Sequence, residues 1–314
     1  MANYLVTGGA GFIGSHLVTA LVGRGETVRV LDNLSSGRLE NLAHVKDKIE
    51  LIEGDAADFA TVNQVVKGVD VVFHQAALAS VPASLREPVV SHQACATATV
   101  NVLTAAQRAG VRRVVFAASS ACYGDAPAAV KRETDQLDPL SPYAAAKIAS
   151  EYYCKSFGKS FGLETVCLRY FNVYGPRQDP ASEYSAVIPI FVSRMLRGDQ
   201  PTIFGDGQQS RDFVYVEDVV AANLLAAERT EPVGHSINIG AGHRATLLDL
   251  VSAINQAMGS DLAPQFAPPR AGDVRDSMAD ISLARKLLGY EPRFTLEEGL
   301  VRSIDYYRSL ANAR

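Results

Sequence analysis

Cysteine is scarce in this chain and never paired in sequence. Cys95, Cys122, Cys154 and Cys167 form no C-x-x-C and have no histidine cluster beside them, which argues against both a zinc site and a disulfide framework. They read as reduced thiols, mostly packing residues, and no metal is expected. No stretch approaches the roughly 18 to 20 uncharged apolar residues that cross a bilayer. The opening MANYLVTGGAG lacks the basic segment and apolar core of a secretory leader. A cytoplasmic protein with no membrane partner is expected. A basic run is also missing: 30 Lys plus Arg stand against 34 Asp plus Glu, a net charge of −4, so nucleic acid is not an expected partner. Internal repeats, low-complexity tracts and long linkers are absent too, so two lobes would pack together rather than hang on a tether. What is present is 314 residues, 47% hydrophobic and 20% charged, enough for one large or two fused domains with a full core.

The first half alternates short β-branched runs, at Tyr4 to Thr7, Val28 to Asp32, Ile49 to Glu53, Asp70 to His74, Arg112 to Ala118 and Thr165 to Tyr170, with amphipathic stretches. Strands alternating with helices of this length imply right-handed crossovers and a parallel sheet covered on both faces. The expected fold is α/β, a doubly wound parallel sheet of Rossmann type over residues 1–170. Beyond Tyr170 the rhythm loosens into Gly, Pro and polar loops, with helical patterns at Val187 to Arg197, Val216 to Glu228, Thr246 to Met258 and Leu296 to Ser309. Residues 171–314 are expected to form mainly a smaller, irregular substrate lobe, with about 203–242 returning to the first domain. The cleft between them is where a ligand is sought.

Thr7-Gly8-Gly9-Ala10-Gly11-Phe12-Ile13-Gly14 follows the first strand and opens a helix. Gly9 and Gly11 let backbone approach a pyrophosphate, Gly14 lets helix and strand pack closely, and the helix N-terminus offers free N–H donors. Asp32 ends the second strand, where a carboxylate can accept from the ribose hydroxyls and repel a 2′-phosphate, so NAD is expected over NADP. Asp55 ends the third strand and reads either as a receiver of the adenine amino group or as a helix cap.

In Ser141-Pro142-Tyr143-Ala144-Ala145-Ala146-Lys147, Ser141 suits an N-cap and Pro142 the first helical position. Tyr143 and Lys147 then share one face, and the ammonium together with an oxidised nicotinamide is expected to favour phenolate near neutral pH. The bland reading is an ordinary amphipathic face. An earlier strand end, Phe116-Ala117-Ala118-Ser119-Ser120-Ala121-Cys122-Tyr123-Gly124, delivers hydroxyls to the sheet edge where ligands bind. With these motifs the chain resembles the extended short-chain dehydrogenase/reductase family along essentially its whole length, and Leu168 to Pro176 resembles the nucleotide-sugar branch. One departure is Cys95, which aligns where many relatives carry an active-site Asn; Asn101 is too far along to replace it.

The resemblance implies a catalytic triad of Ser119, Tyr143 and Lys147 and a tightly bound NAD regenerated in each cycle. It places the cofactor against Gly8, Gly11, Phe12, Ile13 and Gly14, against Asp32, Asn33, Asp55, Ala56 and Ala76, and against Tyr143 and Lys147. It implies a UDP-sugar held by Ser119, Ser120, Tyr143, Asn172, Arg211, Arg270 and Asp273, although Arg211 or Arg270 taken alone reads as a solvated surface group. It also implies a homodimer through helices near Val89 to Arg108 and Tyr143 to Phe161. Similar dehydratases carry an acidic pair before the Tyr-Gly that matches Tyr123-Gly124, and similar decarboxylases a Glu; here Ser120-Ala121-Cys122 supplies no acid. C4 epimerisation through a 4-keto sugar is the reaction expected, with a UDP-glucuronate epimerase or decarboxylase, or a non-catalytic dinucleotide sensor, as alternatives. Ser277 aligns where relatives restricted to unsubstituted hexoses often carry a bulky aromatic, and Arg177 to Pro180 with Tyr184 to Pro189 resembles the N-acetylhexosamine branch. UDP-GlcNAc and UDP-GalNAc are therefore expected substrates beside UDP-Glc and UDP-Gal. Gln178 and Ser80 are weaker acetamido contacts, and Ser277 also reads as a plain loop serine.

Overall fold

The computed structural model describes residues 2–126, 128–180, 186–269 and 275–312. Its strands form where β-branched and aromatic residues alternate between the two faces of a pleat. Val6, Phe73, Val115, Ala117, Val166, Leu168 and Tyr170 point to one side and pack with Leu17, Leu21, Val219 and Leu288. Leu5, Val72, Val114, Phe116, Ala118 and Cys167 point to the other, against Val62, Val102, Leu103 and Cys154. Both faces are buried, and the strands read as nearly continuous apolar runs for that reason.

Seven strands make the main sheet, in the order Ser236–Ile239, Glu164–Tyr170, Arg113–Ser119, Val71–His74, Asn3–Thr7, Thr27–Asp32 and Ile49–Glu53. Every neighbouring pair is parallel. The chain leaves Asn3–Thr7 toward one edge and returns to Val71–His74 on its other side, so the connections diverge above these two strands. A crevice opens at that switch point, at the carboxyl ends of the strands. The six strands expected from the sequence begin or end within a residue of their observed bounds.

The later residues build a second apolar cluster from Ile188, Phe191, Leu250, Ile254, Leu300 and Ile304. Short strands Ser210–Arg211 and Asp276–Ala279 pair in parallel, with Arg211 opposite Ser277. Asn172–Tyr174 pairs with Phe213–Tyr215, and Thr202–Phe204 with Gln265–Ala267. Asp212 anchors this junction. It is fully buried, and its carboxylate accepts from the N–H groups of Ala241, Gly242 and Ala279 at 2.7, 3.1 and 3.0 Å.

The edge strand is held by a buried polar network. Arg169 donates to both Glu151 oxygens at 2.7 to 3.2 Å and to the Tyr123 hydroxyl at 2.8 Å. Tyr123 donates to Asn238 Oδ1 at 2.6 Å, and Ser236 Oγ donates to Glu151 Oε2 at 2.7 Å. The Arg169 and Glu151 side chains are 5% and 6% exposed, so removing one charge strands the other in a dry site. Glu151→Gln is expected to lower stability by about 3 kcal/mol, read from the urea midpoint at an unchanged m value.

Candidate active site

The glycine-rich turn is set by close approach. Gly8 has φ +68, and a Cβ there would stand 2.7 Å from the Ala76 nitrogen; a Cβ on Gly14 would stand 2.1 Å from the Gly8 carbonyl oxygen. Gly9 faces Val30, which a Cβ would meet at 2.7 Å. Its bareness therefore serves packing against the second strand. At Gly11 the nearest atom to a Cβ is the Gly8 oxygen at 3.2 Å. Gly11 caps the helix Phe12–Gly23 with no side chain on its first N–H groups and no acid in its first turn. Free donors and the positive dipole end thus meet over a bare loop that fits a pyrophosphate.

Asp32 bounds the same crevice. Its Oδ2 accepts from Ala10 N–H at 2.9 Å and its Oδ1 from Leu34 N–H at 2.8 Å, which aims the carboxylate beside the loop. Asn33 donates to Asp55 Oδ2 at 3.1 Å, and Asp55 Oδ1 accepts from Ala57 N–H at 2.7 Å. The helix Phe59–Val65 is capped by Asp58, so Asp55 is not its cap. Asn101 donates to the carbonyls of Ala56 and Ala57 at 3.3 and 2.8 Å and pins this turn from below.

The helix Pro142–Phe161 starts as the sequence predicts. Ser141 Oγ accepts from Ala144 N–H at 3.2 Å, Pro142 occupies the first turn, and Gly162 ends the helix at φ +72. Lys147 is buried, donates to Ala117 O at 2.7 Å, and sits 4.8 Å from the Phe116 ring centroid and 5.8 Å from that of Tyr143. The Ser119 side chain lies close enough to the Tyr143 phenol to favour its ionised form. Ser119 Oγ also accepts from Ala121 N–H at 3.2 Å and caps the short turn that begins at Ser120.

The expected depression of the Tyr143 pKa is not a property of the chain alone. Burial pushes the phenol well above its ordinary value, opposed by the nearby Ser119 hydroxyl. The Lys147 ammonium is spent on Ala117 and Phe116, and burial lowers its own pKa. Cys95 lies against Tyr143 and Ala146, within a single π-helical turn, Gln93–Thr97.

The substrate residues fall in two groups. Asn172 donates to Asp212 O at 3.3 Å, and Arg211 lies beside Ser277 in the small sheet, donating to Ser210 O at 2.8 Å. Gln178 donates to Val173 O at 3.3 Å and its Oε1 is buried without a partner. Ser80 caps the helix Val81–Arg86 by accepting from Ala83 N–H at 3.1 Å, which leaves its proton to donate. Arg270, Asp273 and Tyr184 lie outside the described residues.

Sequence reasoning missed Thr7, His74 and Thr99. Thr7 Oγ1 and His74 Nδ1 are 2.7 Å apart, and His74 Nε2 and Thr99 Oγ1 3.1 Å. A usable signal was present, because Thr7 directly precedes Gly8 and His74 closes the strand before Gln75-Ala76.

A doubly wound sheet, a bare glycine turn at its switch point and a Tyr/Lys/Ser cluster beside that turn define a dinucleotide-dependent α/β enzyme. A sequence profile of the NAD dependent epimerase/dehydratase family matches residues 4–240, and the chain belongs to that family. The UDP-glucose 4-epimerase of Mycolicibacterium smegmatis is 40% identical over 309 residues, covering 97% of this chain and 98% of that protein. The solved UDP-N-acetylglucosamine 4-epimerase of Methanobrevibacter ruminantium M1, in complex with UDP-N-acetylmuramic acid, superposes with a TM-score of 0.94 at 42% identity. The Thermotoga maritima UDP-glucose 4-epimerase with UDP-glucose gives 0.94 at 41%. Each alignment covers 98% of this chain and 99% of the other.

The cofactor is NAD, and Asp32 predicts the preference over NADP. Calorimetric titration is expected to give a dissociation constant at least about tenfold lower for NAD, roughly 1.4 kcal/mol. Comparable constants would mean that Asp32 does not face the 2′ position.

Proposed function

We propose that this protein epimerises C4 of UDP-hexoses, including UDP-GlcNAc/UDP-GalNAc and UDP-Glc/UDP-Gal, through a 4-keto sugar. The carrying observation is Lys147, buried and donating to Ala117 O at 2.7 Å, 5.8 Å from the Tyr143 ring centroid and next to the strand end that carries Ser119. Tyr143 as phenolate takes the C4 hydroxyl proton, and Ser119 hydrogen-bonds that oxygen. Lys147 orients the cofactor ribose. When bound, NAD supplies the acceptor for the C4 hydride and a positive charge near the phenol. Asn172 and Arg211, with Arg270 and Asp273, hold the UDP moiety, the amide and the cations facing its phosphates, so the keto sugar turns about its phosphate linkage and presents its other face. NAD returns to its starting state in every cycle and stays bound.

The N-acetyl reading is supported by Ser277, whose small side chain stands next to Arg211, and by the unpartnered Gln178 Oε1, an acceptor for an acetamido N–H. A homodimer is supported by apolar side chains on neighbouring helices, with Leu85, Val89 and Tyr152 61%, 68% and 63% exposed.

The test is proton NMR of the purified enzyme with UDP-GlcNAc and no added cofactor. UDP-GalNAc is expected to form, and to be absent with Tyr143→Phe. Turnover of UDP-glucose alone would remove the Ser277 argument, while turnover of UDP-glucuronate alone would overturn the substrate class. Ser277→Tyr is expected to suppress N-acetylhexosamine turnover at least about tenfold while sparing UDP-glucose.

The pH dependence has a definite sign. The Ser119 hydroxyl favours phenolate, so its loss raises the tyrosine pKa and leaves less base at any given pH. Ser119→Ala is expected to move the acid limb of the pH–rate profile to higher pH and to lower kcat about a hundredfold, with Ser119→Thr close to wild type.

A further inference from the structure

A chain of polar side chains that the proposed chemistry does not use crosses the floor of the site. Thr99 Oγ1 donates its one proton to Cys95 O at 2.7 Å. Toward His74 it can therefore only accept, and the 3.1 Å contact puts a proton on His74 Nε2. His74 is 1% exposed, and burial, with the Lys147 charge nearby, pushes its pKa down to about 3, so the imidazole is neutral. Nδ1 of that tautomer is an acceptor, and the 2.7 Å contact with Thr7 Oγ1 is a donation by the threonine. Thr7 Oγ1 accepts in turn from Ala76 N–H at 3.3 Å. Every donor in the series points the same way, from Ala76 through Thr7, His74 and Thr99 to the Cys95 carbonyl.

Both ends lie on the machinery. Thr7 and Ala76 flank Gly8, whose missing Cβ lets the Ala76 backbone close on the loop. Cys95 sits in the π-helical turn, packed on Tyr143 and Ala146. The middle is tied in as well: the His74 ring lies 5.8 Å from that of Phe116, whose face carries the Lys147 ammonium at 4.8 Å.

We infer that His74 is a positioning residue which, as the neutral Nε2–H tautomer, holds the dinucleotide loop and the turn behind Tyr143 and Lys147 in one register. The kinetic part of this inference rests on the proposed epimerisation; the tautomer and cofactor parts do not.

The two arms can be cut separately, because an Asn side chain places its oxygen where Nδ1 was and a Gln side chain places its amide where Nε2 was. His74→Asn keeps the Thr7 arm. It is expected to bind NAD within about twofold of wild type, but to lose about tenfold in kcat at unchanged KM, the effect of one buried hydrogen bond. His74→Gln keeps the Thr99 arm and is expected to weaken NAD binding about tenfold, with kcat at saturating NAD near wild type. Thr99→Val should copy His74→Asn, and Thr99→Ser should restore kcat. Nitrogen-15 imidazole spectra of the wild type are expected to show His74 protonated on Nε2 alone across neutral pH, a readout that survives if a variant fails to fold. An Nδ1–H tautomer, or Asn and Gln variants that lose the same property to the same degree, overturns the inference. A wild type that shows the expected tautomer and NAD effects but turns over no UDP-hexose would overturn the proposed function and leave this positioning role standing.

Discussion

The contact between Gly14 and the Gly8 carbonyl sets the geometry on which the rest of the site depends. No side chain fits between them, since a Cβ on Gly14 would come within 2.1 Å of that oxygen. The first helix therefore starts almost in contact with the end of the first strand, and its unpaired N–H groups converge on one spot above the sheet. Asp32, Asn33, Asp55 and Ala76 surround that spot because their strands are hydrogen-bonded neighbours whose carboxyl ends share one edge. Parallel pairing is what turns residues far apart in sequence into a single rim.

Polar groups inside this protein are tied to structure wherever water is excluded. Asp212 meets three N–H donors, those of Ala241, Gly242 and Ala279, and burial still lifts its pKa to about 6. Arg113, 1% exposed, donates to the carbonyls of Ala226, Ala227 and Arg229 at the end of the helix Val216–Glu228, where a positive charge complements the helix dipole. Arg169 and Glu151 close the sheet edge in the same manner. Such groups add little net stability when complete and are costly when broken, so they fix register more than they add cohesion.

Tyr143 shows the opposite balance. Its environment raises the phenol pKa, and Ser119 is the chain's own opposing influence. In the proposed mechanism a bound cationic ring supplies the remaining shift, which would couple proton removal to the presence of the cofactor.

Local pattern carried a large part of this in the sequence. Apolar runs of alternating face located the six strands of the first half, and Ser141-Pro142 marked the start of the helix Pro142–Phe161, because caps and pleats depend on residues within a few positions of each other. The glycine spacing pointed to the bare loop at the switch point, and Tyr-x-x-x-Lys to the helix face that carries Tyr143 and Lys147. Tertiary structure alone decided that Gly9 packs on Val30, that Asp58 and not Asp55 caps the helix Phe59–Val65, and that burial raises the Tyr143 pKa. It alone brought Thr7 to His74 across 67 residues and Tyr123 to Asn238 across 115. Burial and hydrogen-bond partnership are set by neighbours in space, and no window of sequence contains neighbours that the fold itself assembles.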